Sequence, residues 1–402
     1  MNILLMAQFY PPIIGGEERH VRNLGAALAK RGHRVNVVTM WYPGASAFEM
    51  DGEVGVYRIR GSMQRLSWLF SDSQRPHAPP FPDPELTARI KSIVSKIKPD
   101  VVHVHNWILA SFLPLKLWSD VRLIVTLHDF SLICAKKVLF RDDTMCDGPQ
   151  LSKCYHCARD HYHTMAKAVV TTIGNYGTGF LARRLVDKFI AVSHAVARFN
   201  ALAEAGGSFE VIPNFVPDDI DVPSRELDPC LQDLPGDGYI MFAGDLMRRK
   251  GIDVLLRAYA ALDQAPPLVV IGRRIDVPNE LPANVYQFDP WPHSAVMHAW
   301  RRSLFAIVPS VSPDACPTVV MEAMASGKAV IGSDIGGIPD LIKHQETGLL
   351  VRPDDPVSLQ DAMQLLLMDP EIRVKFETAG RARVAALKAS AVISRIEQVY
   401  AA

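Results

Sequence analysis

Leu304-Phe305-Ala306-Ile307-Val308-Pro309-Ser310-Val311-Ser312-Pro313-Asp314-Ala315-Cys316-Pro317-Thr318-Val319-Val320-Met321-Glu322-Ala323-Met324-Ala325-Ser326-Gly327 reads as a strand, a loop and a helix in one run. The apolar stretch 304–308 suits a buried strand, and Pro309 ends it. A helix is expected to open at Pro317 or Thr318, since proline suits a first helical position, where its missing N–H would be unpaired anyway. The first amides, those of Thr318, Val319 and Val320, then face out of the helix end, where the dipole favours an anion. Glu322 follows one turn later on the face of Thr318. A carboxylate placed there can accept both hydroxyls of a ribose whose phosphates sit on the helix end. Gly327 closes the helix as a C-cap glycine. The next strand leads to Gly336-Gly337, a backbone able to approach a ligand closely.

The same alternation of short β-branched runs and amphipathic stretches extends through the chain, the pattern of parallel sheets built from βαβ units. In the first half, strands are expected at Ile3–Met6, Arg34–Thr39, Asp100–His105, Val121–Leu127, Lys188–Ser193 and Phe209–Ile212. Helices carry Val21, Leu24 and Leu28, then Leu86, Ile90, Ile93, Val94 and Ile97. Residues 41–84, with Pro76, Pro79, Pro80, Pro82 and Pro84, and 134–180, with four cysteines, break the rhythm and are expected to be loop-rich. After Pro213-Asn214-Phe215-Val216-Pro217 a second alternating series begins at Tyr239. Its strands fall at 267–271, 284–288, 304–308, 329–333 and 348–352, and its helices near 251–262, 317–326, 356–368 and 371–388. A length of 402 residues exceeds what one core usually organises, so two domains are expected, 1–215 and 216–388. Residues 389–402 would return to the first domain through Val392, Ile393, Ile396 and Val399.

Lys+Arg and Asp+Glu balance at 43 each, so no global field draws the chain to nucleic acid. Met1–Ala7 lacks a basic flank and its apolar run is short, so it reads as a first strand rather than a signal peptide. The expected location is the cytoplasm, where the 6 cysteines are thiols or metal ligands before they are disulfides. Cys134, Cys146, Cys154 and Cys157 cluster in the 134–180 insert, with Cys154-x2-Cys157 the tightest pair. Four thiolates there could hold a structural zinc, with His156, His161 and His163 as spare ligands; free thiols and disulfides are the alternatives. Cys316 reads as a packing residue. Tyr176–Phe199 carries Arg183, Arg184, Lys188 and Arg198 and is expected to be a core helix with a solvated basic face, so membrane contact at the inner face is not expected.

Three further segments carry chemistry. Gly244-Asp245-Leu246-Met247-Arg248-Arg249-Lys250-Gly251 follows a strand and brings three cations to one turn. Pro11-Pro12-Ile13-Ile14-Gly15-Gly16-Glu17 follows the first strand, where glycines let backbone amides meet phosphate or acceptor. It is not the dinucleotide Gly-x-Gly-x-x-Gly fingerprint, and the second strand ends in Thr39 rather than a ribose-holding acid, which disfavours a dehydrogenase. Thr126-Leu127-His128-Asp129 places a polar pair at the carboxyl end of a strand, where parallel sheets bind ligands. His103 and His105 share one strand face; His105 is an acceptor-side candidate and His103 a structural residue.

Asp314-x7-Glu322 followed by Ala-Met-Ala-Ser-Gly-Lys-Ala-Val resembles the Glu-x7-Glu motif of retaining GT-B glycosyltransferases, specifically glycosyltransferase family 4. Gly244–Gly251 resembles the family's Gly-Arg-Leu-x-x-x-Lys-Gly loop, and Gly15-Gly16 its N-terminal glycine loop. The resemblance implies two Rossmann-like α/β domains with parallel sheets facing across a cleft, the first binding the acceptor and the second a nucleotide sugar. It implies a metal-independent, retaining transfer of a hexose-type sugar from a UDP, GDP or dTDP donor to the hydroxyl of a glycan, lipid or small natural product. Carried over residue by residue, Glu322 grips the ribose. Lys250, Arg248 or Arg249, and the Thr318 and Val319 amides hold the diphosphate. Asp314 and His128 orient the sugar, and Gly15 and Gly16 line the phosphate or acceptor side. The chain departs from the family at Asp245, which stands where arginine is usual, at the shorter Asp314, and at Ala315-Cys316-Pro317. Arg273, Arg274 and Trp291 are candidates for the base. Within the same fold, a nucleotide-sugar epimerase or hydrolase, or a non-catalytic nucleotide-sugar-binding protein, remains an alternative.

Overall fold

The structure, a computed structural model, describes the chain except residues 14, 66–77, 205, 225–227 and 278–280. Ile14 and Pro76, named above, lie outside the described residues. Two compact units are present: Met1–Arg141 with Cys146–Pro213 and Val392–Ala402, and Asn214–Ala391 with Asp142–Met145.

The first unit contains strands β1 (Asn2–Met6), β2 (Arg34–Met40), β3 (Phe48–Asp51), β4 (Val54–Ile59), β5 (Val101–His105) and β6 (Arg122–Leu127). It also holds β7 (Phe140–Arg141), β9 (Lys188–Ala191) and β10 (Phe209–Val211), while β8 (Thr144–Met145), which pairs with β7, falls in the short segment assigned to the second unit. Its helices are α1 (Gly16–Lys30), α2 (Ser62–Arg65), α3 (Pro84–Ile97), α4 (Leu109–Lys116), α5 (Leu151–Tyr162), α6 (Met165–Leu185) and α7 (His194–Phe199). The sheet order is β10-β9-β6-β5-β1-β2-β4-β3, parallel throughout except for β3 against β4. Ile3 to Met6 are fully buried, as a strand covered by helices on both faces must be. Sequence-adjacent β1 and β2 pair, and β5 joins β1 on its other edge, so the strand order reverses between β1 and β5. Loops leaving the carboxyl ends of those strands diverge there and leave a crevice. Asp83 caps α3 by accepting from the amides of Glu85 and Leu86, with Pro84 in the first turn.

The second unit holds β11 (Tyr239–Ala243), β12 (Leu268–Ile271), β13 (Val285–Phe288), β14 (Ser303–Val308), β15 (Ala329–Ser333) and β16 (Leu349–Val351). Its helices are α8 (Ile252–Ala260), α9 (His293–Arg302), α10 (Thr318–Ala325), α11 (Ile338–Leu341), α12 (Pro356–Met368) and α13 (Pro370–Ala385). The all-parallel order β13-β12-β11-β14-β15-β16 reverses between β11 and β14. That reversal sets the loop after β11, Gly244–Gly251, beside the loop after β14, Pro309–Pro317. Finally, α14 (Ala389–Ala401) buries Val392, Ile393, Ile396 and Val399, and its residues from Val392 onward belong to the first unit.

Two expectations are corrected. Residues 41–47 are loop, but 48–65 are not: β4 is a sheet strand whose Val54 and Val56 are buried, and Gly52, in the left-handed region, turns β3 back onto it. The 134–180 insert is largely helical, and Tyr176–Phe199 is no single helix but the end of α6, then β9 and α7. Helix α6 inverts the usual rule. Ala168, Thr172, Asn175, Thr178, Gly179 and Ala182 face inward, where Gly179 lies against the carbonyl of Leu132, while Met165, Ile173 and Phe180 are exposed. Small residues let the helix approach backbone closely, which an apolar face of larger side chains would prevent. No described helix is long and apolar enough to cross a membrane.

Candidate active site

In the second unit the two loops at the strand-order reversal are bound to each other. Gly251 adopts φ +76°, and the carbonyl oxygen of Pro309 lies 1.8 Å from where a Cβ would stand, so only glycine fits. The amides of Val311 and Ser312 donate to the carbonyl of Arg249 at 3.0 and 3.2 Å. This clamp brings Lys250 to Asp314: Lys250 Nζ donates to Asp314 Oδ1 at 2.6 Å, and Ser310 Oγ to Oδ2 at 2.6 Å. Burial pushes the Asp314 carboxyl up, but the Lys250 charge and hydrogen bond, Ser310 and Arg249 outweigh it and hold it below the ordinary range. Asp314 is therefore an anion at neutral pH, with both oxygens engaged.

Helix α10 opens at Thr318, with Pro317 as an extended N-cap rather than the first helical residue. The amide of Val320 donates to the carbonyl of Pro317 at 3.2 Å, so the anion-facing set is reduced to the amides of Thr318 and Val319. Glu322 sits one turn further on, buried, with its Oε1 3.1 Å from His293 Nε2. Gly336 has a packing role. Its φ of +63° lets it pack on the backbone of Asp314, whose carbonyl accepts from Gly337 N–H at 2.7 Å. The glycine pair shapes the loop that presents Asp314.

The three residues proposed for the base already hold partners. Arg273 Nε and Nη2 donate to Asp245 Oδ1 and Oδ2 at 2.9 and 2.8 Å, Arg274 Nη1 donates to Gln287 at 2.7 Å, and Trp291 packs on Phe288. The fork on Asp245 neutralises the acid that stands in the family's arginine position, which the sequence leaves as a bare repulsive charge. Of the two neighbouring arginines, Arg249 is close enough to lower Asp314, while the Arg248 amide is turned to Asp276 at 2.8 Å.

In the first unit, His128 follows β6, His105 ends β5, and His20 comes from α1. His105 Nδ1 lies 2.9 Å from His128 Nε2, and the rings stack at 5.1 Å; His20 stands edge-on to His128 at 4.8 Å. Burial, reinforced by neighbouring imidazoles, holds His20 and His105 well below the usual histidine range, so both are neutral at pH 7. His103, its ring 4.4 Å from that of His105, is held between Tyr400 Oη and Thr126 Oγ1 at 2.6 Å each, and burial takes it down to about 3. Gly15 is the extended N-cap of α1, and Gly16 its first residue. Beside them Glu17, bonded to Asn106, is pushed up to about 8 by burial and by Asp129 and Glu18, with Lys137 opposing. A carboxyl kept protonated near neutral pH is a feature that the sequence alone does not display. His20 and His293 belong to none of the motifs above, although His20 stands one turn after Gly16.

Cys134, Cys146, Cys154 and Cys157 line one cavity of about 30 Å³ in the first unit. The group whose ligand atoms lie within 4.8 Å of one another, among the described residues, is instead His20, His105 and His128. The thiols ring their cavity more widely.

This fold is that of the GT-B glycosyltransferases, two Rossmann-like α/β domains with parallel sheets. Residues 14–220 match the family model for Glycosyltransferase Family 4, and 232–383 that for Glycosyl transferases group 1. The chain belongs to glycosyltransferase family 4 and is a glycosyltransferase. It is 26% identical over 392 residues to an uncharacterized glycosyltransferase of Methanocaldococcus jannaschii, covering 92% of this chain and 90% of that one. Similar solved structures include sucrose-phosphate synthase from Thermosynechococcus elongatus, with a TM-score of 0.73 and 21% identity over 100% of this chain and 98% of the other. HepE from Anabaena, in complex with UDP-glucose, has a TM-score of 0.66 and 17% identity over 99% of each chain.

Proposed function

We propose that the protein transfers a hexose-type sugar, with retention of anomeric configuration and without a catalytic metal, from a nucleoside-diphosphate sugar to an acceptor hydroxyl. The observation that carries the reading is the Lys250–Asp314 pair, clamped four residues before the uncapped amides of α10, with Glu322 buried one turn in. Glu322, oriented by His293, accepts the two ribose hydroxyls. Lys250, Arg249 and the Thr318 and Val319 amides hold the diphosphate and supply the positive charge its growing negative charge needs. Asp314 orients the sugar hydroxyls, and His128 with Gly15 and Gly16 serves the sugar and acceptor side. The acceptor oxygen bonds to the anomeric carbon as the bond to phosphate breaks, and its proton passes to the departing phosphate oxygen. The products are the glycoside and the nucleoside diphosphate, and no protein base is required. The nucleotide-sugar donor is supported by UDP-glucose in HepE, and the acceptor is a glycan, a lipid or a small natural product.

Donors based on UDP, GDP and dTDP are screened by thermal shift, because a ligand that binds the folded state raises the melting point. With the best donor, Glu322→Ala and Lys250→Ala are each expected to lower transfer about 10²–10³-fold while circular dichroism is unchanged. NMR of the product anomer reports retention. Near-normal turnover in either variant, or donor consumption that ignores the acceptor, would overturn the reading.

A further inference from the structure

The first unit carries a second chemical feature that sugar transfer does not use. Cys134, Cys146, Cys154 and Cys157 come from three separate places in the chain, yet all line a single cavity together with Lys136, Arg141 and Lys153. Cys154 and Cys157 lie one turn apart on one face of α5. Cys134 sits in the turn after β6, and Cys146 just after β8. Cys154 Sγ accepts from Gln150 N–H at 3.4 Å and from Tyr176 O–H at 3.7 Å. The segment packs α5 on α6 but buries few apolar side chains of its own. Among residues 134–163 the buried side chains are Ala135, Leu139, Phe140 and Ala158, and Ala158 is the one buried residue of α5.

We propose that these four cysteines bind one structural zinc ion as a tetrathiolate site. Four thiolates around Zn²⁺ leave a net double negative charge, and Lys136 and Arg141 in the cavity lining are placed to offset it, while Lys153 is paired with Asp147. Binding draws the sulfurs inward to Zn–S bonds of about 2.3 Å, with the thiol protons released to solvent. Cys134 and Cys146 make the larger movement, since they lie in turn and hairpin segments, whereas Cys154 and Cys157 are fixed by the helix. The ion supplies to the insert the cohesion its few apolar residues do not, since metal binding energy is folding energy where the unfolded chain has no preformed site. Nothing in this site depends on the assignment of the sugar donor.

The full chain, purified without chelator, is analysed by native mass spectrometry and by elemental analysis. One zinc per chain is expected, lost in the Cys154→Ser/Cys157→Ser double variant and kept in Cys230→Ser. Replacement by Co²⁺ should give the intense visible absorption of tetrahedral thiolate coordination. Should the double variant fail to fold, thiol titration of the wild type decides: chelation should expose four thiols that the metal-loaded chain protects. Metal-free protein with those four thiols reactive, a disulfide among them, or iron with acid-labile sulfide in place of zinc would overturn the proposal. Zinc retained by the double variant would overturn it too and move the metal to His20, His105 and His128.

Discussion

His103 should make the first unit acid-labile, and the size of the effect follows from its surroundings. Its imidazole is fully buried between Tyr400 and Thr126 and titrates at about 3, against 6.5 for an ordinary histidine. The unfolded chain therefore binds a proton that the folded one refuses, so stability is fully present above pH 6.5 and is lost as pH falls toward 3. Each unit of pKa difference is worth about 1.4 kcal/mol, so lowering the pH to about 4.5 crosses two units and removes about 3 kcal/mol. That is a large share of a typical stability of about 5–15 kcal/mol. His20 and His105 shift in the same direction, so the whole acid limb belongs to several groups, and a variant must isolate one. His103→Gln keeps a donor and an acceptor but cannot titrate. Urea unfolding read by hydrogen exchange in β5 and β6 peptides follows the first unit alone. The variant should lose stability at neutral pH, yet its acid limb should be shallower than wild type by one proton, about 1.4 kcal/mol per pH unit. Parallel limbs would refute the reasoning.

Arg273→Ala should leave the Asp245 carboxylate unpaired beside the proposed diphosphate cradle and raise the donor KM about tenfold, or 1.4 kcal/mol; adding Asp245→Ala should restore it, and a double variant as poor as the single would show that Asp245 is not the repelling group. Gly251→Ala should cost at least about 2 kcal/mol, because the left-handed φ is strained and the new methyl would overlap the Pro309 carbonyl; thermal denaturation of the second unit reads it, and an unchanged melting point would mean that the two loops are not clamped as described.

Much of the second unit was readable in the sequence because its signals are local. Asp314, Thr318 and Glu322 sit in one strand–loop–helix run, and Gly251 punctuates the loop that carries Lys250. What escaped depends on partners far along the chain. His293 reaches Glu322 from 29 residues away, and Arg273 reaches Asp245 from 28. No spacing rule predicts such pairs, and so Asp245 read as a repulsive anomaly. The insert was misread for a different reason. Helical periodicity is recognised by apolar residues facing inward, and α6 buries Thr172, Asn175 and Gly179 while exposing Ile173 and Phe180. Strand β4 hid behind its neighbourhood, since Gly52, Gly55 and the prolines from Pro79 onward gave the region the composition of a loop.

Helix α14 has a consequence for how the protein is made. Its Tyr400 hydroxyl meets His103, and the carbonyl of Val399 accepts from Arg122, yet the sheet that carries His103 and Arg122 is synthesised before residue 214. The ribosome must first build the intervening 214–391. At about 5–20 residues per second that takes roughly 10–35 s. Throughout that interval the nascent first unit exists without the helix that covers His103, so a stall within the second half would strand a nearly complete intermediate with apolar surface for chaperones to shield.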